Sequence, residues 1–246
     1  MRRIGLIGGM SWESTAIYYQ EINRRVRDAE GGLVSADVLI HSVNFAEVVA
    51  LQQAGRWDEA ARLLEGVAQG LEGAGAEALL ICTNTMHILA GEIEAATNVP
   101  LLHIVDVTAV AIRAAGLKRP LLLATRYTME KPFYLDRMRT FGLAPMVPAE
   151  ADRGDVHDII FGELCCGVVK EASRERYRDV IRRGIAEGAD AVILGCTEIG
   201  MLVGAEDAAV PVFDSTLLHA QAAVDFALGA PAGAPAVRRS ALEHSL

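Results

Sequence analysis

The sequence predicts an α/β protein made of two pseudosymmetric halves, each with a mostly parallel central sheet flanked by helices and with a cleft between them. Three observations carry this. Short apolar runs alternate with helical patterns almost from end to end, the signature of βαβ units. The runs are apolar throughout rather than alternating, as in strands covered on both faces. A stretch of the first half also returns in the second. Gly75-Ala76-Glu77-Ala78-Leu79-Leu80-Ile81-Cys82-Thr83 matches Gly188-Ala189-Asp190-Ala191-Val192-Ile193-Leu194-Gly195-Cys196-Thr197, with one inserted residue. Pro100-Leu101-Leu102-His103 matches Pro211-Val212-Phe213-Asp214 at nearly the same offset, and each leads into a helix that stops at glycine, Gly116 or Gly229.

The elements follow in order. A strand at 3–7 ends at Gly8-Gly9, and a helix is expected over 12–29. A second strand covers 36–42. Between 57 and 72, Trp57, Ala60, Leu63, Leu64, Val67, Ala68 and Leu71 recur at three- and four-residue spacing, as a helix lying over a sheet requires, and Gly73 and Gly75 supply its stop. Strands at 77–81 and 100–102 bracket a helix over 85–96, and a helix over 104–115 leads to the strand at 119–124. Helix 129–140, strand 143–147, helices 152–165 and 172–187, strand 190–195, strand 210–213 and helix 215–228 complete the pattern. Residues 1–98 with 210–229 are assigned to the first half and 99–209 to the second. From 230 to 246 the Ala-Pro-Ala-Gly-rich run reads as a flexible tail.

Composition narrows the function. The net charge of −9 is spread without a basic stripe, which argues against nucleic acid or an anionic membrane as partner. No apolar run reaches the roughly 18 residues a spanning helix needs, so a cytoplasmic protein is expected. Four cysteines in 246 residues are too few for a disulfide scaffold, and neither Cys-x-x-Cys nor paired-His spacing marks a metal site. Gly5-x-x-Gly8-Gly9 lacks the Gly-x-Gly-x-x-Gly spacing, so no nucleotide cofactor is expected. Cys165 and Cys166 read as packing residues of a helix, and His87, one turn beyond Cys82, reads either as a tuner of that thiol or as a simple helix-surface or core residue.

Cys82 and Cys196 occupy corresponding strand ends, the edge at which open α/β sheets bind ligands. Amides of 83–86 and 197–199 at the following helix starts are expected to acidify both thiols. Two thiols facing one ligand across a cleft can remove a proton from one face of a carbon and return one to the other, which is racemisation or epimerisation.

Gly5-Leu6-Ile7-Gly8-Gly9-Met10-Ser11-Trp12-Glu13-Ser14-Thr15, Cys82-Thr83-Asn84-Thr85-Met86-His87 and Gly195-Cys196-Thr197-Glu198-Ile199 resemble the three signature segments of the cofactor-independent aspartate/glutamate racemase family, in particular its broad-specificity branch. The resemblance runs from about residue 1 to 228. It implies an isomerase acting on amino acids without pyridoxal phosphate or any other cofactor, with Cys82 and Cys196 as thiolate base and thiol acid, and a homodimer. It implies substrate contacts at Met10, Gln52, Thr83, Asn84, Thr85, Thr197 and Glu198. Thr83, Asn84 and Thr85 suit a carboxylate, the turn after Gly8 and its helix offer a second anion site, and Thr197 and Glu198 either hold the substrate ammonium or orient Cys196. The neutral Gln52 departs from the basic residue expected of a strict aspartate enzyme. Other reactions on this scaffold resemble maleate isomerase, hydantoin racemase or arylmalonate decarboxylase, and a non-catalytic amino-acid-binding module is the reading from a different class.

Overall fold

The computed structural model of the chain describes residues 1–229; the tail expected at 230–246 lies outside the described residues. The first half comprises β1 (Ile4–Gly8), α1 (Trp12–Glu30), β2 (Val38–Ser42), α2 (Phe45–Gln53), α3 (Trp57–Gly73), β3 (Ala78–Ile81), a 3-10 turn (Thr85–Leu89) and α4 (Ala90–Ala96). Next come α5 (Ile104–Ala114), β4 (Pro120–Ala124), α6 (Arg126–Glu130), α7 (Pro132–Thr140), α8 (Glu150–Gly162), α9 (Glu171–Ala186), β5 (Ala191–Gly195), β6 (Val212–Asp214) and α10 (Ser215–Leu228).

The strands form two parallel sheets, β2-β1-β3 and β4-β5-β6. Leu101 bridges to Leu79 at the edge of the first sheet, and Met146 bridges to Leu121 at the edge of the second. The expected strands at 100–102 and 143–147 are thus single bridges. The two sheets nevertheless correspond: β1 with β4, β3 with β5, and Leu101 with β6.

The echoed segments lie where this symmetry requires. Both strand ends that precede the cysteines are fully buried, as βαβ crossovers dictate. His103 and Asp214, the last residues of the second echo, cap α5 and α10: His103 Nδ1 accepts from the Val105 amide at 3.2 Å, and Asp214 Oδ1 from the Thr216 and Leu217 amides at 2.8 and 3.1 Å. Each helix then leaves its sheet. Ile104, Val105, Ala109 and Ile112 of α5 pack in the core of the second half, while Ala220, Ala223, Val224 and Ala227 of α10 pack with Ile4, Leu6 and Tyr18 of the first.

This corrects the assignment of two short segments. Residues 99–103, placed above in the second half, sit at the edge of the first sheet, and 212–214, placed in the first half, pair with β5 of the second. The chain changes halves after His103 and after Asp214, because the capped helix start, and not the strand, makes the crossing.

Helix α2 is absent from the sequence reading. Asn44 caps it, its side chain accepting from the Ala46 amide at 3.2 Å, and Glu47 stands at the third helical position. That Asn-x-x-Glu pattern is a capping-box signal. The helix is short and buries only Val48 and Gln52, so it has little periodicity.

Gly9 has φ +88°, and a Cβ there would collide with the Val43 backbone. The glycine turn therefore serves close packing of the β1 end against the residues after β2.

Candidate active site

The carboxyl ends of the two sheets face one cleft, lined by residues of both halves. Met10, Gln52, Thr83, Asn84, Thr85, Cys196, Thr197 and Glu198 all line it. Cys82 does not. It is fully buried one residue behind Thr83, its amide bonded to the Ile7 carbonyl at 2.9 Å, and it packs in the core with Tyr18 and Ala220.

Glu198 is the best connected of these residues. Its Oε2 accepts from Cys196 Sγ at 2.9 Å and from Thr197 Oγ1 at 2.6 Å, and its Oε1 accepts from Ser11 Oγ at 2.9 Å and Ser14 Oγ at 2.7 Å. Ser11 also caps α1, accepting from the Ser14 amide at 3.2 Å. The anion at the start of α1 is therefore Glu198, brought across from the other half. Burial alone would raise this carboxyl, but the bonds from Cys196, Thr197, Ser14 and Ser11 outweigh it and hold the group below its ordinary range. Both oxygens of Glu198 are thus engaged, one by Cys196 and Thr197 of its own half and the other by Ser11 and Ser14 of the opposite half.

Neither thiol is acidified. Burial pushes the Cys82 thiol well up, and nothing opposes it. For Cys196 burial acts first, then the charge of Glu198 and the bond to it; the Glu198 amide works in the expected lowering direction and is outweighed. The expectation failed because a helix start contributes partial charges, whereas desolvation acts on the whole charge of a thiolate.

The polar loop is equally specific. Asn84 is buried, and its Nδ2 donates to Ser215 Oγ at 3.1 Å, while Ser215 Oγ donates to the Leu194 carbonyl at 2.8 Å. Among the described residues Asn84 Oδ1 has no partner. Thr85 Oγ1 is engaged with Thr125 and Thr128, both at 3.0 Å. His87 proves to be a core residue: Nδ1 donates to the Thr83 carbonyl at 2.8 Å and Nε2 accepts from the Ile104 amide at 3.2 Å, which holds the loop behind Thr83.

The sequence reading missed several lining residues: Phe45, Tyr127, Ile160, Phe161 and Cys165. Cys165, read as packing, faces the cleft from the 3-10 turn after α8. Tyr127 is held edge-on by Trp57 of the opposite half, ring centroids 6.0 Å apart.

The sequence profile of the family described as Asp/Glu/Hydantoin racemase matches residues 7–223. The chain belongs to this racemase family. A Yersinia pestis structure assigned to the Asp/Glu racemases is 51% identical with a TM-score of 0.88, covering 93% of this chain and all of that one. An aspartate racemase homologue from Pyrococcus horikoshii is 33% identical with a TM-score of 0.82 over the same shares. The broad specificity amino-acid racemase RacX of Bacillus subtilis is 23% identical over 171 residues, 68% of this chain and 72% of its own. Among the described residues no helix is long and apolar enough to cross a membrane.

A variant of this racemase-family protein isolates the role of Glu198. In Glu198→Gln the charge that helps raise the Cys196 thiol is gone, and one amide nitrogen faces donors where an oxygen accepted. Alkylation of Cys196 by iodoacetamide, followed peptide by peptide, is expected to reach its midpoint at lower pH than in the wild type. The melting temperature should fall, since leaving buried donors unpaired costs about 1–3 kcal/mol. An unchanged alkylation midpoint would remove Glu198 as the partner of Cys196.

Proposed function

We propose that the chain racemises α-amino acids without a cofactor, with Cys82 and Cys196 acting on opposite faces of the α-carbon. The observation that carries this reading is their correspondence: each is the residue immediately after a fully buried strand, β3 or β5, and these two strands hold equivalent places in the two sheets. One cysteine, as thiolate, takes the proton from Cα, and the electron pair spreads into the α-carboxylate. The other, as thiol, gives its proton to the opposite face and is left as the thiolate for the reverse direction. Protons balance and nothing is oxidised.

The surroundings support particular roles. Burial raises both thiols, so both are protonated at rest and the base must first give up its proton; Cys196 is held in its protonated form by the bond to the ionised Glu198. Asn84 Oδ1 is a buried acceptor with its amide orientation fixed by Ser215, so it suits the substrate ammonium rather than a carboxylate. That positive charge, once bound, offsets the burial that raises the thiols. Cys82 stands behind Thr83, so the reaction requires the substrate to seat deeply enough, or this rim to give way far enough, for Sγ to meet Cα.

Proton NMR in deuterium oxide tests the reading, with L- and D-Asp, Glu, Ala, Ser, Lys, Met and Leu and no cofactor added. Loss of the α-proton signal with appearance of the other enantiomer on a chiral column is expected. Binding without any α-proton exchange would instead indicate the amino-acid-binding module.

A further inference from the structure

The choice of amino acid is written in the wall of the cleft, given the racemase reading above. Met10, Phe45, Met86, Ile160, Phe161 and Cys165 form an apolar surface around the polar loops, and among the described residues no Lys, Arg or His lines the cleft. Its one ionised group is Glu198, buried, negative, and with both oxygens already occupied. A side-chain carboxylate in this space would lose its water, find no cation and lie near a second negative charge. The cations nearest to it in sequence do not alter this. Arg126 and Lys131 line a separate surface hollow beyond Tyr127, together with Glu130 and Asp158, and the Arg126 guanidinium lies toward Gly154 on α8.

We propose that the side-chain subsite selects uncharged, mainly hydrocarbon or thioether side chains such as those of methionine and leucine, and disfavours aspartate, glutamate and lysine. Two wall residues are themselves methionines, unbranched and able to adapt to the shape of a flexible guest. Gln52 adds a neutral polar group at the same wall. In an apolar pocket each methylene is worth roughly 10- to 200-fold in kcat/KM, so the preference should be large.

The test is the rate of α-proton exchange, with inversion checked by chiral chromatography, for L-Met, L-Leu, L-Asp, L-Glu and L-Lys at matched concentrations. Methionine and leucine are expected to exceed each charged amino acid in kcat/KM by about tenfold or more. Aspartate, glutamate or lysine equalling or exceeding methionine would overturn the proposal and leave the racemase reading standing. Absence of exchange with every amino acid would overturn both. Phe161→Arg places a cation on the half-buried wall, and in a variant shown folded by its thermal melt the aspartate-to-methionine ratio should rise about tenfold or more. An unchanged ratio would mean that this wall does not hold the side chain.

Discussion

Cys196→Ser and Cys82→Ala are each expected to lower racemisation by about 10²- to 10⁴-fold, the range that a positioned proton-transfer group contributes. Serine keeps the hydrogen bond to Glu198 but has no accessible anion at neutral pH, so Cys196→Ser preserves the site and removes the chemistry. At position 82 alanine is preferable, because the thiol lies in an apolar cluster and a serine hydroxyl there would be buried without a partner. The two variants should differ in a second readout. With one thiol left, an enantiomer whose α-proton faces it can still exchange with deuterium and return without inversion. Each variant is therefore expected to wash out the α-proton of one enantiomer only, opposite in the two cases, and the double variant should be silent. Wild-type racemisation in either single variant would sink the two-cysteine mechanism. The Cys82 variant is the sharper test, because Cys82 is the predicted site residue that does not line the cleft.

Raised thiols also set a direction for pH. A base that must lose its proton from a value above the ordinary one gives a rate that still climbs at alkaline pH, whereas an acidified cysteine would complete that rise at or below neutral pH.

The duplicated strand-and-cysteine segments made the two sheets and the position of the site legible, because buried parallel strands write themselves as unbroken apolar runs. What lay outside that pattern was harder to read. Helix α2 has too little buried surface to generate periodicity, so Phe45 went unrecognised although Asn44 and Glu47 marked the helix start. Cys165 has no echo in the first half and its turn carries no pattern, so nothing in the sequence turns it toward the cleft. Glu198 had two open roles, and the hydroxyls of Ser11 and Ser14 that engage it lie more than 180 positions away in sequence, where no local pattern could announce them. The thiol environments escaped for a similar reason: local sequence reports the adjacent amides, and burial is a property of the whole fold.

Stability is expected to fall steeply in mild acid, through three histidines at the seam where the chain changes halves. His87, His103 and His219 are buried, with His87 and His103 ring centroids 4.6 Å apart and those of His87 and His219 5.6 Å apart. Each has work that only the neutral ring can do. His87 and His103 accept the Ile104 and Val105 amides at the start of α5, and His219 accepts from the Tyr18 hydroxyl at 2.8 Å while donating to the Leu102 carbonyl at 2.6 Å. Burial foremost lowers all three, His87 well below its ordinary value, His103 to about 3 and His219 to about 4. The unfolded chain takes up these protons near pH 6.5 while the folded chain refuses them, so the stabilisation is complete above about 6.5 and is lost as pH falls toward the folded values. Each histidine contributes about 1.4 kcal/mol per pH unit in that window, and three together about 4 kcal/mol. A typical reserve of about 5–15 kcal/mol would then be exhausted within about one to four units. Unfolding followed by far-ultraviolet circular dichroism should have its acid midpoint between about pH 3 and 5. His103→Asn keeps an oxygen to cap α5 and removes one titration, so its stability should decline less steeply with acid. A melting temperature that stays level from pH 7 to 5 would show that these rings accept protons in place, and the seam would then be looser than its hydrogen bonds indicate.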